Sequence, residues 1–456
     1  MFRKLFISCI FLMLGISVFS QQHHEKEDTT KIKKLKDVFT HAEIEGHIRN
    51  YFMSTINEGD LKDYYTNATG GAIGFKTLPF KGFSLGVKGI FTYQTFSSDL
   101  NEMDVQSQRV SKWEHELYDI NDLENYNDLD RLEELYISYQ FKKGVVTAGK
   151  MPIIKTPLVN KSDGRMKPFA FSGLQLQLNL DSNTHLYAAA IGRVSPRSTV
   201  EWYNFNEAIG IVTNGSQTNG LAADYEGNTE SEGMSILGFY KKFGNSSISL
   251  YNYHLHRIVN TSMLEWKLPI SKFDFNFQYA FQFADDFQKT LDYKNRYIQP
   301  NENGQIASVK STYNMKHGSF SLSYTHLFAT GRFLFPKELG RDQINTSISR
   351  SRAEGLGNTN VLTIDYQYHL NKQTTIELEG TTVLQNNPNS AEFNKYNVDN
   401  YYQLNTRLKH KMKDFFEGLE FSALYVYKEN YEQNQAELIF NRSNFHQINL
   451  IANYNF

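Results

Sequence analysis

Hydrophobic and polar positions alternate along most of this chain, most sharply in Phe273–Phe283, F-D-F-N-F-Q-Y-A-F-Q-F. Phe273, Phe275, Phe277, Tyr279, Phe281 and Phe283 share one parity, and Asp274, Asn276, Gln278, Ala280 and Gln282 share the other. Successive side chains of a strand point to opposite faces, so the segment predicts a strand with one oily and one wet surface. The pattern starts at Glu43, where Ile44, Gly46 and Ile48 oppose Glu45, His47 and Arg49. It recurs in Leu174, Leu176, Leu178 and Leu180 against Gln175, Gln177 and Asn179, and in Leu362, Ile364, Tyr366 and Tyr368 against Thr363, Asp365 and Gln367. The chain ends the same way, with Ile448, Leu450, Ala452, Tyr454 and Phe456 against Gln447, Asn449, Asn453 and Asn455. These segments run to about ten residues, the length that crosses a bilayer at a tilt.

The connections add a second periodicity. Short turns are placed at Leu78–Lys81, Lys142–Gly144, Asp181–Asn183, Phe243–Asn245, Leu268–Ser271, Lys316–Gly318, Asn371–Gln373 and Met412–Glu417. Between them fall mostly long polar loops: Ser97–Arg131, Pro152–Ser172, Val194–Glu232, Ala284–Gly304, Ala329–Thr359, Leu384–Asp399 and Glu429–Ser443. Short turns on one side and long loops on the other mark an outer-membrane barrel. The strands number eighteen, an even count that closes an antiparallel sheet. Alternation is poorest at Val145–Met151, Thr184–Arg193 and Thr261–Lys267.

Composition sharpens the choice between a barrel and a soluble sandwich. Residues 1–20 read as an export signal: Arg3 and Lys4, an apolar run from Leu5 to Phe19, and a small residue, Ser20, at the cut. Cys9, the one cysteine, falls inside it, so the mature chain has no thiol for a disulfide or a thiolate metal site. Residues 21–42 form a polar periplasmic extension in which His23 and His24 belong to a solvated tail. The barrel occupies 43–456. Aromatics make up 14% of the sequence, yet the mean hydropathy is −0.50 and the formal charge −2. That combination suits a wall wetted on one side and greasy on the other. A terminal aromatic, Phe456, on the outward parity is the ending expected of a chain handled by the outer-membrane barrel-assembly machinery.

Several strings resemble the outer-membrane porin D family. They include K-G-F-S-L-G-V-K-G-I-F (Lys81–Phe91), L-E-E-L-Y-I-S-Y-Q-F (Leu132–Phe141) and A-G-K-M-P (Ala148–Pro152). T-P-L-V-N-K-S-D-G-R-M-K-P-F-A-F-S-G (Thr156–Gly173), F-P-K-E-L-G-R (Phe335–Arg341) and S-R-A-E-G-L-G-N (Ser351–Asn358) follow, then N-K-Y-N-V-D-N-Y-Y-Q-L-N (Asn394–Asn405) and E-G-L-E (Glu417–Glu420). The resemblance implies a closed eighteen-stranded channel in the outer membrane of a Gram-negative cell, for passive and partly selective uptake of small polar or carboxylate-bearing solutes. It also implies a loop near 152–172 folded inward as a constriction, and a row of luminal bases. A luminal face rich in acids departs from that pattern.

On the constriction loop the candidate residues are Lys155, Lys161, Asp163, Arg165 and Lys167. On the strands, parity nominates Arg49, Lys150, Lys310, Arg407 and Lys409, because a lysine or arginine at mid-depth in lipid costs ~2–4 kcal/mol. Asp99–Asp130 reads as a solvated acidic loop without the glycine and spacing of a calcium-binding loop. No catalytic constellation, metal site or cofactor is implied, and no nucleic-acid partner is expected. Partners are small polar or anionic solutes, outer-membrane lipid and lipopolysaccharide. A non-channel surface-adhesive or scaffolding barrel and a hydrophobic-solute transporter remain as other readings.

Overall fold

The computed structural model describes residues 34–162, 164–432 and 444–456. The export signal, His23 and His24, most of the 21–42 extension, Asp163 and residues 433–443 of the last long loop lie outside the described residues.

The strands are β1 (Glu43–Asn57), β2 (Tyr64–Lys76), β3 (Phe83–Ser97), β4 (Arg131–Phe141), β5 (Gly144–Met151), β6 (Ala170–Asn179), β7 (Thr184–Ser195) and the two-residue β8 (Tyr203–Asn204). Next come β9 (Met234–Phe243), β10 (Ser246–Leu255), β11 (Val259–Ile270), β12 (Phe273–Ala284), β13 (Gln305–Met315) and β14 (Gly318–Leu327). Last are β15 (Thr359–His369), β16 (Thr374–Gln385), β17 (Tyr401–Lys411), β18 (Leu419–Asn430) and β19 (Phe445–Asn455). Each long strand pairs antiparallel with its neighbours, β8 merely adds to the upper end of β7, and β1 pairs with β19. Eighteen strands therefore close on themselves and leave no sheet edge, the condition that lets a sheet sit in hydrocarbon.

Alternation decides which surface each residue meets. On β12, Phe273, Phe277, Tyr279, Phe281 and Phe283 stand outward and exposed, whereas Gln278 and Gln282 are 5% and 1% exposed inside. Gln282 donates to Thr261 Oγ1 (2.8 Å) and to the Leu334 carbonyl (2.6 Å), so the polar face is satisfied within the bore. The three poorly alternating segments are strands all the same. β5 and β7 carry short side chains (Gly144, Ala148, Gly149, Ala188–Ala190), and both neighbours supply their backbone bonds. Pairing on two sides outweighs weak local preference.

The apolar core lies in the outer part of the bore, where the long loops turn inward and pack on each other and on the upper strands. Leu158, Val159, Phe205, Ile209, Phe333, Leu334 and Leu339 are fully buried there. Each such side chain contributes ~1.5–3 kcal/mol to holding the loops. Between these loops the Arg332 guanidinium forks onto the Glu302 carboxylate at 2.7 and 2.9 Å, both groups out of water. The acidic loop 98–130 differs from the solvated segment its composition suggests. Glu114, His115, Leu117 and Tyr118 are buried against β1 and β2, with Thr55 donating to Glu114 (2.5 Å) and Tyr118 bonded to Thr66 (2.5 Å).

Candidate functional site

Three inward loops meet beside β1 and β19 and narrow the bore. The loop 152–169 is tied to the wall by Arg49 of β1, which donates to the Arg165 carbonyl (2.5 Å) and to Asn453 Oδ1 (2.7 Å). It is tied to loop 328–358 by the Gln343 amide on the Pro157 carbonyl (2.8 Å) and by Asn160 on the Arg341 carbonyl (2.8 Å). That second loop then runs along the polar wall. Gln278 of β12 donates to the Gln343 carbonyl (3.0 Å), Gln403 of β17 to the Ser349 carbonyl (2.6 Å), and Arg350 reaches Gln447 (2.5 Å) and Asn449 (3.1 Å) on β19. Inward amides thus serve as fixed hooks for loop backbone, which is why the wet parity of these strands is rich in Asn and Gln.

Glu116 of loop 98–130 is the acid shared by the constriction. It forms ion pairs with Arg165 and with Arg197 (3.0 Å). Burial alone pushes its carboxyl up, but Arg165, Arg197 and Arg350 outweigh that and hold it at about 2. Around it, Arg350 lies over the Trp113 ring (5.3 Å) and Lys112 over the same ring (4.6 Å). Burial, together with Lys337, Lys428 and Arg352, brings the Lys112 ammonium down to about 7. Arginines stay charged at any working pH, so this cluster presents positive potential to the bore.

The nominated residues fall into distinct places. Arg49 and Arg165 stand where the inward loops meet the wall. Lys161 lies next to it, its ammonium on Glu134 (2.5 Å) and Glu133 (3.3 Å). Lys167 is wholly buried, and desolvation, helped by Arg131, brings its pKa down to about 7. Lys155 is exposed beside a cavity of about 220 Å³ lined by Gln177, Asn179, His185, Tyr187, Tyr240 and Tyr251. On the wall, Lys310 pairs with Asp365 (2.8 Å), and Arg407 and Lys409 both pair with Glu377 (2.8 Å each). Lys150 departs from its parity assignment. Its cross-strand partner is Leu135, which faces lipid, and its ammonium sits 4.5 Å from the Trp202 ring. It is an outer-surface interface anchor at the extracellular end, placed there because the inward positions of β5 are Thr147, Gly149 and Met151. Arg197, Arg341, Arg350, Arg352, Lys112 and Lys337 were not nominated, since strand parity is silent about loops. The signal available was the load of five bases, Arg332, Lys337, Arg341, Arg350 and Arg352, on loop 328–358.

A model described as Gram-negative porin matches residues 81–388. No curated protein matches the sequence. Among solved structures, Pseudomonas aeruginosa OccK9 (OpdG) superposes with a TM-score of 0.69 at 13% identity, covering 92% of this chain and 99% of that one. P. aeruginosa OpdK with vanillate gives 0.68 at 14% identity, covering 92% and 99%, and Acinetobacter baumannii OccAB4 gives 0.67 at 14%, covering 91% and 98%. These likenesses describe the same closed barrel. With the family match over two thirds of its length and a wet bore narrowed by inward loops, the chain belongs to the Gram-negative porin family and is an outer-membrane channel for the uptake of small solutes.

Proposed function

We propose that the channel prefers anionic solutes, carboxylates above all, and that its selectivity is set where loops 98–130, 152–169 and 328–358 meet. One observation carries this reading: Arg165, Arg197 and Arg350 converge there around Glu116 as their shared acid, with Arg49 bonded to the Arg165 carbonyl. A carboxylate passing the gap exchanges water for guanidinium donors in a low-dielectric strait, which lowers its barrier relative to a cation of equal size. Vanillate, seen with OpdK, is an aromatic carboxylate. The Lys155 cavity, with an ammonium beside three tyrosine rings, suits a solute of that class after it leaves the gap. Residues 1–20 serve as the export signal and residues 21–42 as a periplasmic extension. Lipopolysaccharide around the long loops and the barrel-assembly machinery during insertion complete the set of partners.

The test is conductance of the purified protein across a planar bilayer in a salt gradient. A reversal potential favouring chloride over potassium is expected. Cation preference would overturn the selectivity, and no current at all would return the protein to the scaffolding reading.

A further inference from the structure

The short helix Leu35–Thr40 precedes β1 at the end of the barrel that carries the tight turns. Val38 is buried, whereas Leu35 and Phe39, four residues apart on one face, are 63% and 51% exposed. Phe39 stacks on Phe75 (6.3 Å between centroids, 13° between planes), and Phe75 pairs with Ile44 and Val87 on the hydrocarbon-facing parity. The oily side of the helix therefore continues the outer wall and does not underlie the bore. Lys34 and Lys36 flank it, and the Asp37 carboxylate accepts from the Lys34 amide (2.9 Å).

The same chemistry repeats around the rim. Lys81 lies over Phe80 (5.7 Å), Lys272 sits between Ile270 and Phe273, and Lys413 precedes the exposed pair Phe415 and Phe416. Lys142, Lys316 and Lys372 take the equivalent place in three further turns. Within the eight turns the acids are Asp181, Asp414 and Glu417. None of these lysines, nor Lys143 of the same turns, forms an ion pair among the described residues, in contrast to the wall bases of the lumen. Most of these lysines stand next to a large apolar residue: Phe80 for Lys81, Phe141 for Lys142, Phe273 for Lys272 and Met315 for Lys316. An ammonium on an apolar stem next to an aromatic anchor fits a lipid phosphate above its acyl chains.

We infer that the periplasmic rim is a binding surface for anionic phospholipid of the inner leaflet, with the helix Leu35–Thr40 lying in the headgroup plane. The occupant is lipid because the apolar half of the surface is continuous with the hydrocarbon belt of β1–β3. Cys9, the one cysteine, falls in the export signal, so in protein begun at Gln21 Leu35→Cys gives a single labelling site for an environment-sensitive fluorophore. In phosphatidylcholine vesicles containing phosphatidylglycerol, the expected result is blue-shifted emission, quenched more strongly by spin-labelled phosphatidylglycerol than by spin-labelled phosphatidylcholine. Adding Lys34→Glu, Lys36→Glu and Lys81→Glu should abolish that difference while channel conductance persists, which certifies the fold. A label in water in both vesicles, equal quenching by the two lipids, or a dimer cross-linked through residue 35 would each overturn the proposal. The readout is lipid contact, so it stands or falls apart from anion selectivity.

Discussion

The constriction and the lower luminal wall carry the same residue types and arrange them differently. On the wall, Lys310 has Asp365, Lys88 has Glu45, and Arg407 and Lys409 share Glu377, all within 3.2 Å. Charge there is cancelled over one side-chain length, and a passing ion senses little beyond that distance. At the constriction Arg165, Arg197 and Arg350 converge on a single carboxylate, with Lys112 and Arg49 beside them. A ladder of bases on strands is therefore no measure of selectivity. What counts is how many bases share one acid, and Arg165, Arg197 and Arg350, which share Glu116, sit on the loops.

The largest effect is expected from Arg165→Ala. It removes a charge and a buried partner of Glu116, which costs ~3–5 kcal/mol for a buried pair. Anion-to-cation permeability, read from reversal potentials, should fall several-fold, and loop 152–169 should become open to protease in the folded barrel. Unchanged selectivity would remove Arg165 from the site. Glu116→Gln comes next and has two arms: anion preference rises, while the loop latch weakens. In the native protein the same latch answers to acid. A carboxyl held at about 2 when folded, against its ordinary 4.5, stabilises fully above about 4.5 and loses that contribution as pH falls toward 2. Protease sensitivity of the loops should rise across that window in native protein and stay flat in Glu116→Gln.

A smaller effect is tied to Lys112. With its ammonium at about 7, it carries charge at pH 6 and much less at pH 8. Anion preference should therefore strengthen as pH drops from 8 to 6, and Lys112→Met should flatten the profile. An unchanged profile in that variant would assign the titration elsewhere. The smallest effect is expected from Arg407→Ala, because Lys409 still neutralises Glu377. If its reversal potential shifts as far as that of Arg165→Ala, the contrast between wall and constriction is lost.

The barrel was legible because its cause is local. One parity must face hydrocarbon, so Phe277, Tyr366 and Leu450 announce their surface whatever surrounds them, and all three stand exposed outside. The pairs on β16 and β17 follow by the same rule. Lys150 escapes the parity rule because β5 has too few bulky residues to fix its phase, and one slip exchanges inside for outside. Glu116, Arg197 and Arg350 were illegible for another reason. Their positions depend on loops packing into the bore around Leu158, Phe205 and Phe333, contacts that no period records. The anchoring Asn and Gln of the wall were visible as polar positions, but their occupation by loop carbonyls was not.

The seam between β1 and β19 has an implication for biogenesis. Gly46 and Phe456 exchange both backbone hydrogen bonds at 3.0 Å, and a Cβ on Gly46 would come within 2.5 Å of the Phe456 ring. The residue that closes the last strand is thus the one that locks the first. A barrel lacking β19 would expose two unsatisfied sheet borders to the lipid, so closure of the whole wall waits on its last strand.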